Sequence, residues 1–352
     1  MTKIITIGLD LAKSIFQVHC IDAAGNVVVA KAIRRAGLLG FFSGLEPCLV
    51  GVEACGSAHH WAREIGKLGH TVKLMPPKYV KAYVKRGKTD AGDAEAICEA
   101  VTRKTMTFVP VKSAEQQALA MLHSVRETLI GQRTQAINAL RGHLSELGVI
   151  SPKGIVGLGE LAAIVRDGND CRLPAMARGT LRVLLAQIET VSSRIAEADA
   201  ALRAEHKSNP ASRALETAPA IGPVIASALR ARIADARQFE NGRHMAAWIG
   251  LVPEQDSSGG RTKQRGISKK GDRYLRRLLV SGAIALIQHA QRKPDKYPWI
   301  IALLKRMHPK SAAVAVANKT ARIAWAIMAR GGKYDPGYRS AQMATPALSA
   351  PV

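Results

Sequence analysis

The first hundred residues carry the pattern that most constrains this chain: short β-type apolar runs, two of which end on a carboxylate. Lys3 to Asp10 alternates and is rich in Ile, so it reads as a strand ending on Asp10. Phe16 to Ile21 and Val27 to Ile33 read as two more strands, joined by the turn Asp22-Ala-Ala-Gly-Asn26. Cys48 to Glu53 is a further apolar strand that closes on Glu53. A helix from about Ala58 to Leu68 and a strand from Val72 to Met75 follow, and Pro76-Pro77 then breaks the chain. Asp90 opens a helix running to about Arg103, from a first-turn or cap position.

Three antiparallel strands, then alternating helix and strand, predict an α/β domain of the ribonuclease-H type over residues 1–110. Beyond it the pattern turns helical. A long helix is expected from about Ser113 to Leu147, followed by a Gly- and Pro-containing connection from Gly148 to Pro174. In the second long helix Leu181, Leu184, Ile188, Val191, Ile195, Ala198 and Leu202 alternate by three and four, the heptad spacing. Residues 111–208 therefore predict a coiled-coil hairpin. The spacing fits a plain helical packing unit as well as a dimerisation arm, and does not choose between them. Pro219-Ala-Ile-Gly-Pro223 sits between helical stretches, as in a helix-hairpin-helix clamp on a phosphate backbone, although Ala220 stands where such clamps carry glycine. Met245 to Ala329 reads as helical apart from one polar, Gly-rich loop, Pro253 to Lys270. Residues 209–335 are expected to form the C-terminal, mostly α domain, and 336–352 a disordered tail.

Charge narrows the partner. Lys and Arg number 51 against 27 Asp and Glu, a formal charge of +24 that points to a polyanion, nucleic acid above all. Aromatics are only 4%, so phosphate contacts by Lys and Arg are favoured over broad base-stacking platforms. Five dispersed cysteines without a C-x-x-C pair read as reduced thiols, with no zinc site. No signal-peptide architecture and no bilayer-spanning stretch is visible, so the expected location is cytoplasmic, at the DNA, with no membrane partner.

Four carboxylates stand out by position: Asp10 and Glu53 at strand ends, and Asp90 and Asp93 three apart on one helix face. Neighbouring strands with the helix across their ends would let them converge. Clustered carboxylates repel unless cations hold them, which predicts a hard-cation site for Mg²⁺ or Mn²⁺. Lys78, Lys81, Lys85, Arg86 and Lys88 lie just before Asp90 with no acidic residue between, and are candidate phosphate contacts. A second candidate is Ser257-Ser258 before Gly259-Gly260, followed by Arg261, Lys263, Arg265, Lys269 and Lys270. Glycine lets backbone approach a phosphate, and the charge would hold DNA while a serine hydroxyl attacks phosphorus. Ser-Ser-Gly-Gly is also a common surface turn, so that segment alone does not make a catalytic site.

Taken together, GLDLAKSIFQVH from Gly8, VGVEACGSAHHWA from Val50, KTDAGDAEAI from Lys88, PAIGP from Pro219 and AAWIGLVPEQDSSGG…GISKKGDRYLRRLL from Ala246 resemble the DEDD transposases of the insertion-sequence 110 family, the insertion-sequence 1111 subgroup above all. The motifs run in the family's order along nearly the whole chain. The resemblance implies a RuvC-like N-terminal domain, a coiled-coil linker and a C-terminal transposase domain. It maps the DEDD carboxylates to Asp10, Glu53, Asp90 and Asp93 and the nucleophile to Ser258, with Ser257 as the adjacent alternative. It further implies double-stranded donor and target DNA, a noncoding guide RNA from the same element and a serine–DNA covalent intermediate. The implied assembly is dimers forming tetramers, with RuvC-like and serine elements of different subunits completing one site. The rival readings are a RuvC-like nuclease or junction resolvase, which needs only the carboxylates, and a non-catalytic nucleic-acid-binding protein.

Overall fold

The computed structural model describes residues 3–85, 87, 89–258 and 261–337, and only the backbone of 155, 257, 258 and 261–265. The chain divides into two compact units, Met1–Ala118 and Leu119–Val352.

Unit 1 is built on a five-stranded sheet with the order β3-β2-β1-β4-β5. Its strands are β1 (Thr6–Asp10), β2 (Ile15–Ile21), β3 (Val27–Arg34), β4 (Leu49–Glu53) and β5 (Thr71–Met75). β1, β2 and β3 pair antiparallel in sequence, whereas β4 lies parallel to β1, and β5 parallel to β4. The central strand β1 is buried on both sides through Leu9, as expected where helices cover both faces. Its helices are α1 (Leu38–Ser43), α2 (Ala58–Lys67), the single turn α3 (Pro77–Val80) and α4 (Asp90–Val101). One core gathers Ile7, Leu9, Phe16 and Val18 with Trp61 and Ile65 of α2.

On the other face α4 lies almost against backbone. A Cβ on Gly8 would stand 2.0 Å from the carbonyl oxygen of Ala94 and 2.5 Å from the amide of Cys98. Gly51, the register partner of Gly8, would place its Cβ 2.7 Å from Cβ of Val101. Two glycines side by side on adjacent strands thus set the depth at which α4 seats.

Unit 2 is helical: α5 (Ala114–Glu146, from the unit boundary), α6 (Ile155–Arg166), α7 (Ala175–Ser208), α8 (Pro210–Glu216), α9 (Pro223–Arg232), α10 (Gly242–Ile249), α11 (Arg273–Arg292), α12 (Pro298–Arg306) and α13 (Pro309–Arg330). α5 and α7 run side by side. Arg126 Nε donates to Asp199 Oδ1 at 2.5 Å, and Leu140 and Leu144 share a core with Leu181 and Leu185. The buried seam of α7 is Leu181, Leu185, Ile188, Val191, Ile195, Ala198 and Leu202, so Leu185 rather than Leu184 takes the inner position. The expected irregular connection from 148 to 174 contains α6, whose Leu161, Ala162 and Val165 join the same core. Gly157 and Gly159 obscure that helix in the sequence. Gly157 is required there, because a Cβ would fall 1.8 Å from the carbonyl oxygen of Pro152. The largest core is formed by α8 to α13.

A second departure concerns the segment expected to be a loop from Pro253 to Lys270. It forms an antiparallel hairpin, β6 (Pro253–Ser258) and β7 (Arg261–Ile267), with Ser258 opposite Arg261. Two glycines between paired strands are a hairpin signal. Apart from Pro253 and Ile267 at the root, the strands carry only polar residues and glycine, so no apolar alternation announces them. Of the proposed tail, residues 336 and 337 form a turn and the remainder lies outside the described residues.

The seat of α4 predicts that Gly8→Ala is the costlier of the paired glycine substitutions. Its Cβ meets rigid backbone, for a loss of about 3 kcal/mol at the upper end of overpacking costs. Gly51→Ala meets mainly a valine side chain and costs less. Urea unfolding of the full chain measures both, and an unchanged midpoint for Gly8→Ala would contradict this packing.

Candidate active site

The sheet topology delivers the first two carboxylates. β1 and β4 are parallel, with Leu9 opposite Val52 as the last pair, so Asp10 and Glu53 are the next residue along each strand. Both are half-buried. The third element is the N-terminal turn of α4. Thr89 is the N-cap, its hydroxyl accepting from the amide of Gly92 at 3.1 Å, so Asp90 is the first helical residue rather than the cap. Asp93 follows one turn later, and its amide donates to the carbonyl of Thr89 at 2.9 Å. The positive end of the helix dipole favours both acids there.

The result is a group of three. Carboxylate oxygens of Asp10, Asp90 and Asp93 lie within 4.8 Å of one another. Glu53 stands outside that set, but its charge reaches Asp10. The Asp10 carboxyl is pushed up to about 6, first by burial and then by the charges of Asp93, Asp90 and Glu53, against a smaller lowering by the amide of Leu11. A set of oxygens that disfavours its own ionisation fits a hard divalent cation, which takes oxygen ligands and offsets that repulsion.

The basic residues before Asp90 are placed unevenly. Lys78 lies on α3 with its ammonium 4.5 Å from the ring centre of Tyr79. Lys81 opens the short 3₁₀ turn Lys81–Tyr83. Lys85 is paired with Glu95 at 2.6 Å, so part of its charge is already answered. Arg86 and Lys88 lie outside the described residues.

Ser258 ends β6, with Ser257 opposite Thr262. The hairpin is rooted firmly. The amide of Ser268 donates to the carbonyl of Val252 at 2.8 Å, and that of Lys269 to Gly250 at 3.3 Å. Gly250 (φ +83°) ends α10 in the left-handed region, and Gly271 (φ +103°) passes so close that a Cβ would lie 1.8 Å from the carbonyl of Trp248. Arg276 donates to the carbonyl of Ile249 at 2.8 Å. Lys269 itself has φ +54°, and Lys270 pairs with Glu254 at 2.7 Å. The side chains of Ser257, Ser258, Arg261, Lys263 and Arg265 lie outside what the structure describes.

The Pro219–Pro223 turn does connect two helices, α8 and α9. Ala220 there has φ +66°, a region glycine enters freely and alanine does not.

A carboxylate cluster on an α/β sheet, with Asp10 and Asp93 half-buried and Asp90 exposed, in a chain of this positive charge, fits the class of enzymes that work on nucleic-acid backbones. Comparison with known proteins makes the class specific. A DEDD transposase model of the IS110 type, described as "Transposase", matches residues 7–149, and the model described as "Transposase IS116/IS110/IS902 family" matches residues 212–298. The chain is 47% identical to a "Probable family 20 transposase" of Pseudomonas aeruginosa, over 94% of its own length and 98% of the relative's. It is 37% identical to the "Transposase for insertion sequence element IS1328" of Yersinia enterocolitica, over 94% and 98% of the two chains. With the "Transposase for insertion sequence element IS1111A" of Coxiella burnetii the identity is 36%, over 96% and 93%. The chain belongs to the IS110 family of insertion-sequence transposases and is a DNA transposase, with DNA as its substrate. No helix among the described residues is long and apolar enough to cross a membrane.

Because the folded-state pKa of Asp10 lies above its ordinary 3.8, folding is favoured by its proton. That contribution is full below about pH 4 and is lost as pH rises through about 6. In EDTA, Asp10→Asn should therefore match the wild type near pH 4 and become the more stable protein above pH 6.5. Mn²⁺ should raise the melting temperature of the wild type at pH 7.5, but not of the variant. Thermal melts across pH with and without Mn²⁺ check both, and a wild type indifferent to Mn²⁺ at pH 7.5 sinks the assignment. Separately, Ala220→Gly should stabilise the protein by about 0.5–1 kcal/mol, since relief of the left-handed strain (~1–2 kcal/mol) exceeds the added freedom of the unfolded chain. A denaturation midpoint at or below that of the wild type contradicts it.

Proposed function

We propose that this transposase cuts and rejoins DNA through a covalent serine–DNA intermediate, with Ser258 as nucleophile and Asp10, Glu53, Asp90 and Asp93 as the carboxylates of a Mg²⁺ or Mn²⁺ site. The observation that carries the reading is the gathering of Asp10, Asp90 and Asp93 from separate elements onto one point, with the charge of Glu53 beside them. The sheet order, with β1 and β4 central and parallel, supports a RuvC-like assignment of residues 1–110. Residues 111–208 are then a coiled-coil hairpin, residues 209–335 the transposase domain and residues 336–352 a tail.

In the cleavage step the Ser258 hydroxyl loses its proton and its oxygen bonds to phosphorus. The bond from phosphorus to the departing deoxyribose oxygen breaks, and that oxygen takes up a proton. Rejoining is the reverse, with a deoxyribose hydroxyl displacing Ser258, so no bond energy is lost to hydrolysis. A divalent cation, when bound, supplies neutralisation of the phosphate charge and lowers the pKa of an attacking hydroxyl. Arg261, Lys263, Arg265, Lys269 and Lys270 on and below the hairpin, with Lys78, Lys81, Lys85, Arg86 and Lys88 before α4, contact phosphates and position the backbone without reading its sequence. The remaining parts of the reading are a cytoplasmic protein, a noncoding guide RNA from the same element, and dimers assembling into tetramers.

The test runs Ser258→Ala, Ser257→Ala and Asp10→Asn side by side on suicide DNA substrates, read on a denaturing gel. Ser258→Ala and Asp10→Asn should lose the protein–DNA adduct and Ser257→Ala should keep it. Loss with Ser257→Ala alone moves the nucleophile by one residue. Hydrolysed ends from both serine variants overturn the serine reading in favour of a RuvC-like nuclease.

A further inference from the structure

Unit 2 holds a cleft of about 490 Å³ lined by Glu127 of α5, Arg232 at the end of α9, and Asp272, Arg273, Tyr274 and Arg277 at the start of α11. We propose that this cleft binds a backbone phosphate of nucleic acid, gripped by Arg232, Arg273 and Arg277. The site shares no residue with the carboxylate cluster or with the hairpin strands, and depends on neither the metal nor the serine reading.

Its floor is fixed. Tyr274 is buried, and its hydroxyl lies 2.9 Å from Nδ1 of the buried His123, whose Nε2 lies 2.9 Å from Oγ of the buried Ser227. Burial and the nearby Arg232 and Arg126 push the His123 pKa down to about 4, so the imidazole is neutral at neutral pH and the positive charge of the cleft is that of its guanidiniums. Two guanidiniums rest near the tyrosine ring: the carbons of Arg232 and Arg277 are each 5.4 Å from its centre. The ring thus gives both cations a common fixed neighbour in the cleft.

Those cations are incompletely answered. Arg277 pairs with Glu127 at 2.9 Å. Arg232 meets Asp272 only at 3.9 Å, and its Nε is buried without a hydrogen-bond partner among the described residues. Asp272 is already engaged, since its Oδ1 accepts from the amide of Leu275 at 2.9 Å as the N-cap of α11. No carboxylate among the described residues pairs with the exposed Arg273. Three guanidiniums against two carboxylates, one of them spent on a helix cap, leave forked donors in search of an anion. Phosphate satisfies them in the bidentate manner that guanidinium favours. At ~30 Å³ per water the cleft admits on the order of fifteen waters, room for a phosphodiester. In a DNA transposase the abundant phosphodiester is nucleic acid. The cleft also starts one residue past Gly271, which seats the hairpin root, so a phosphate held there would fix a strand near the base of that hairpin.

The experiment uses the full chain in EDTA with two probes of mixed sequence, a fluorescent duplex DNA and a fluorescent single-stranded RNA, titrated by anisotropy across salt. The control is Arg292→Gln, the same charge loss about 28 Å along α11. Arg273→Gln should weaken binding about tenfold and cut the log-affinity against log-salt slope by ~1, while Arg292→Gln leaves both nearly unchanged. Arg232→Lys keeps the charge and loses the fork, so it should weaken binding with the slope retained. Glu127→Gln, which releases Arg277, should tighten it. An effect on one probe only assigns the phosphate to DNA or to RNA, and an effect on both makes the cleft a general backbone site. If Arg273→Gln and Arg232→Lys match Arg292→Gln on both probes, the proposal is overturned. Because no adduct is read, that failure is distinguishable from failure of the serine mechanism.

Discussion

The close seating of α4 on β1 and β4 is the contact on which the carboxylate centre depends. Asp10 belongs to a strand, and Asp90 and Asp93 belong to a helix some eighty residues on. They share one point only because Gly8 and Gly51 remove the side chains that would hold the helix off the sheet. Ala94, Ile97, Cys98 and Val101 bury against that surface, and the apolar contact draws the helix inward. The apolar packing works against the electrostatics it creates, because it brings carboxylates together at reduced hydration. The raised pKa of Asp10 is the measure of that conflict. A fold that maintains such a conflict holds carboxylate oxygens close together at a cost that a bound cation would offset.

Unit 2 meets a different constraint, which is to present a largely polar hairpin without losing its root. The strands β6 and β7 pair with each other, and beyond Pro253 and Ile267 at the root their sequences offer no apolar stripe. Their position comes from below: a left-handed glycine at 250, the tight passage at Gly271, and the Arg276 guanidinium on the carbonyl of Ile249. The same stretch continues into α11, whose first turn carries Tyr274 onto a buried hydrogen-bond chain through His123 to Ser227. Burying three polar groups is tolerable because each is satisfied, and it locks the start of α11 in place. The hairpin and the arginine cleft therefore share one rigid support.

Much of this architecture is legible without coordinates. Each strand of unit 1 and the helices from Ala58, Asp90 and Ala114 lie within a few residues of where alternation, breakers and capping residues put them. The seam of α7 is legible in period but not in phase at one point, where Leu185 rather than Leu184 turns inward. Adjacent leucines are equivalent to a spacing rule, and only the partner helices distinguish them. α6 is hidden because Gly157 and Gly159 lower its intrinsic propensity, and packing against α5 and α7 outweighs that. The hairpin is hidden because periodicity detects an apolar face, and between Pro253 and Ile267 its strands carry only polar residues and glycine. Thr89 is the exception: its capping role could have been read from a threonine followed by acids at the next and fourth positions.

By itself the sequence determined the function class, the charge that selects a polyanionic partner, and the identity of Asp10, Glu53, Asp90 and Asp93 as residues at strand ends or on one helical turn. These properties are local, set by residue type and by spacing along a few turns or strands. Tertiary structure alone decided that Asp10, Asp90 and Asp93 form a tight set with Glu53 beside it. It alone showed that Lys85 is already paired and that Ala220 sits in strained backbone. It alone drew Arg232 and Arg277 to the ring of one buried tyrosine. Each of these depends on distances between residues tens of positions apart. Such distances are fixed by how closely two surfaces pack, which no spacing along the chain records.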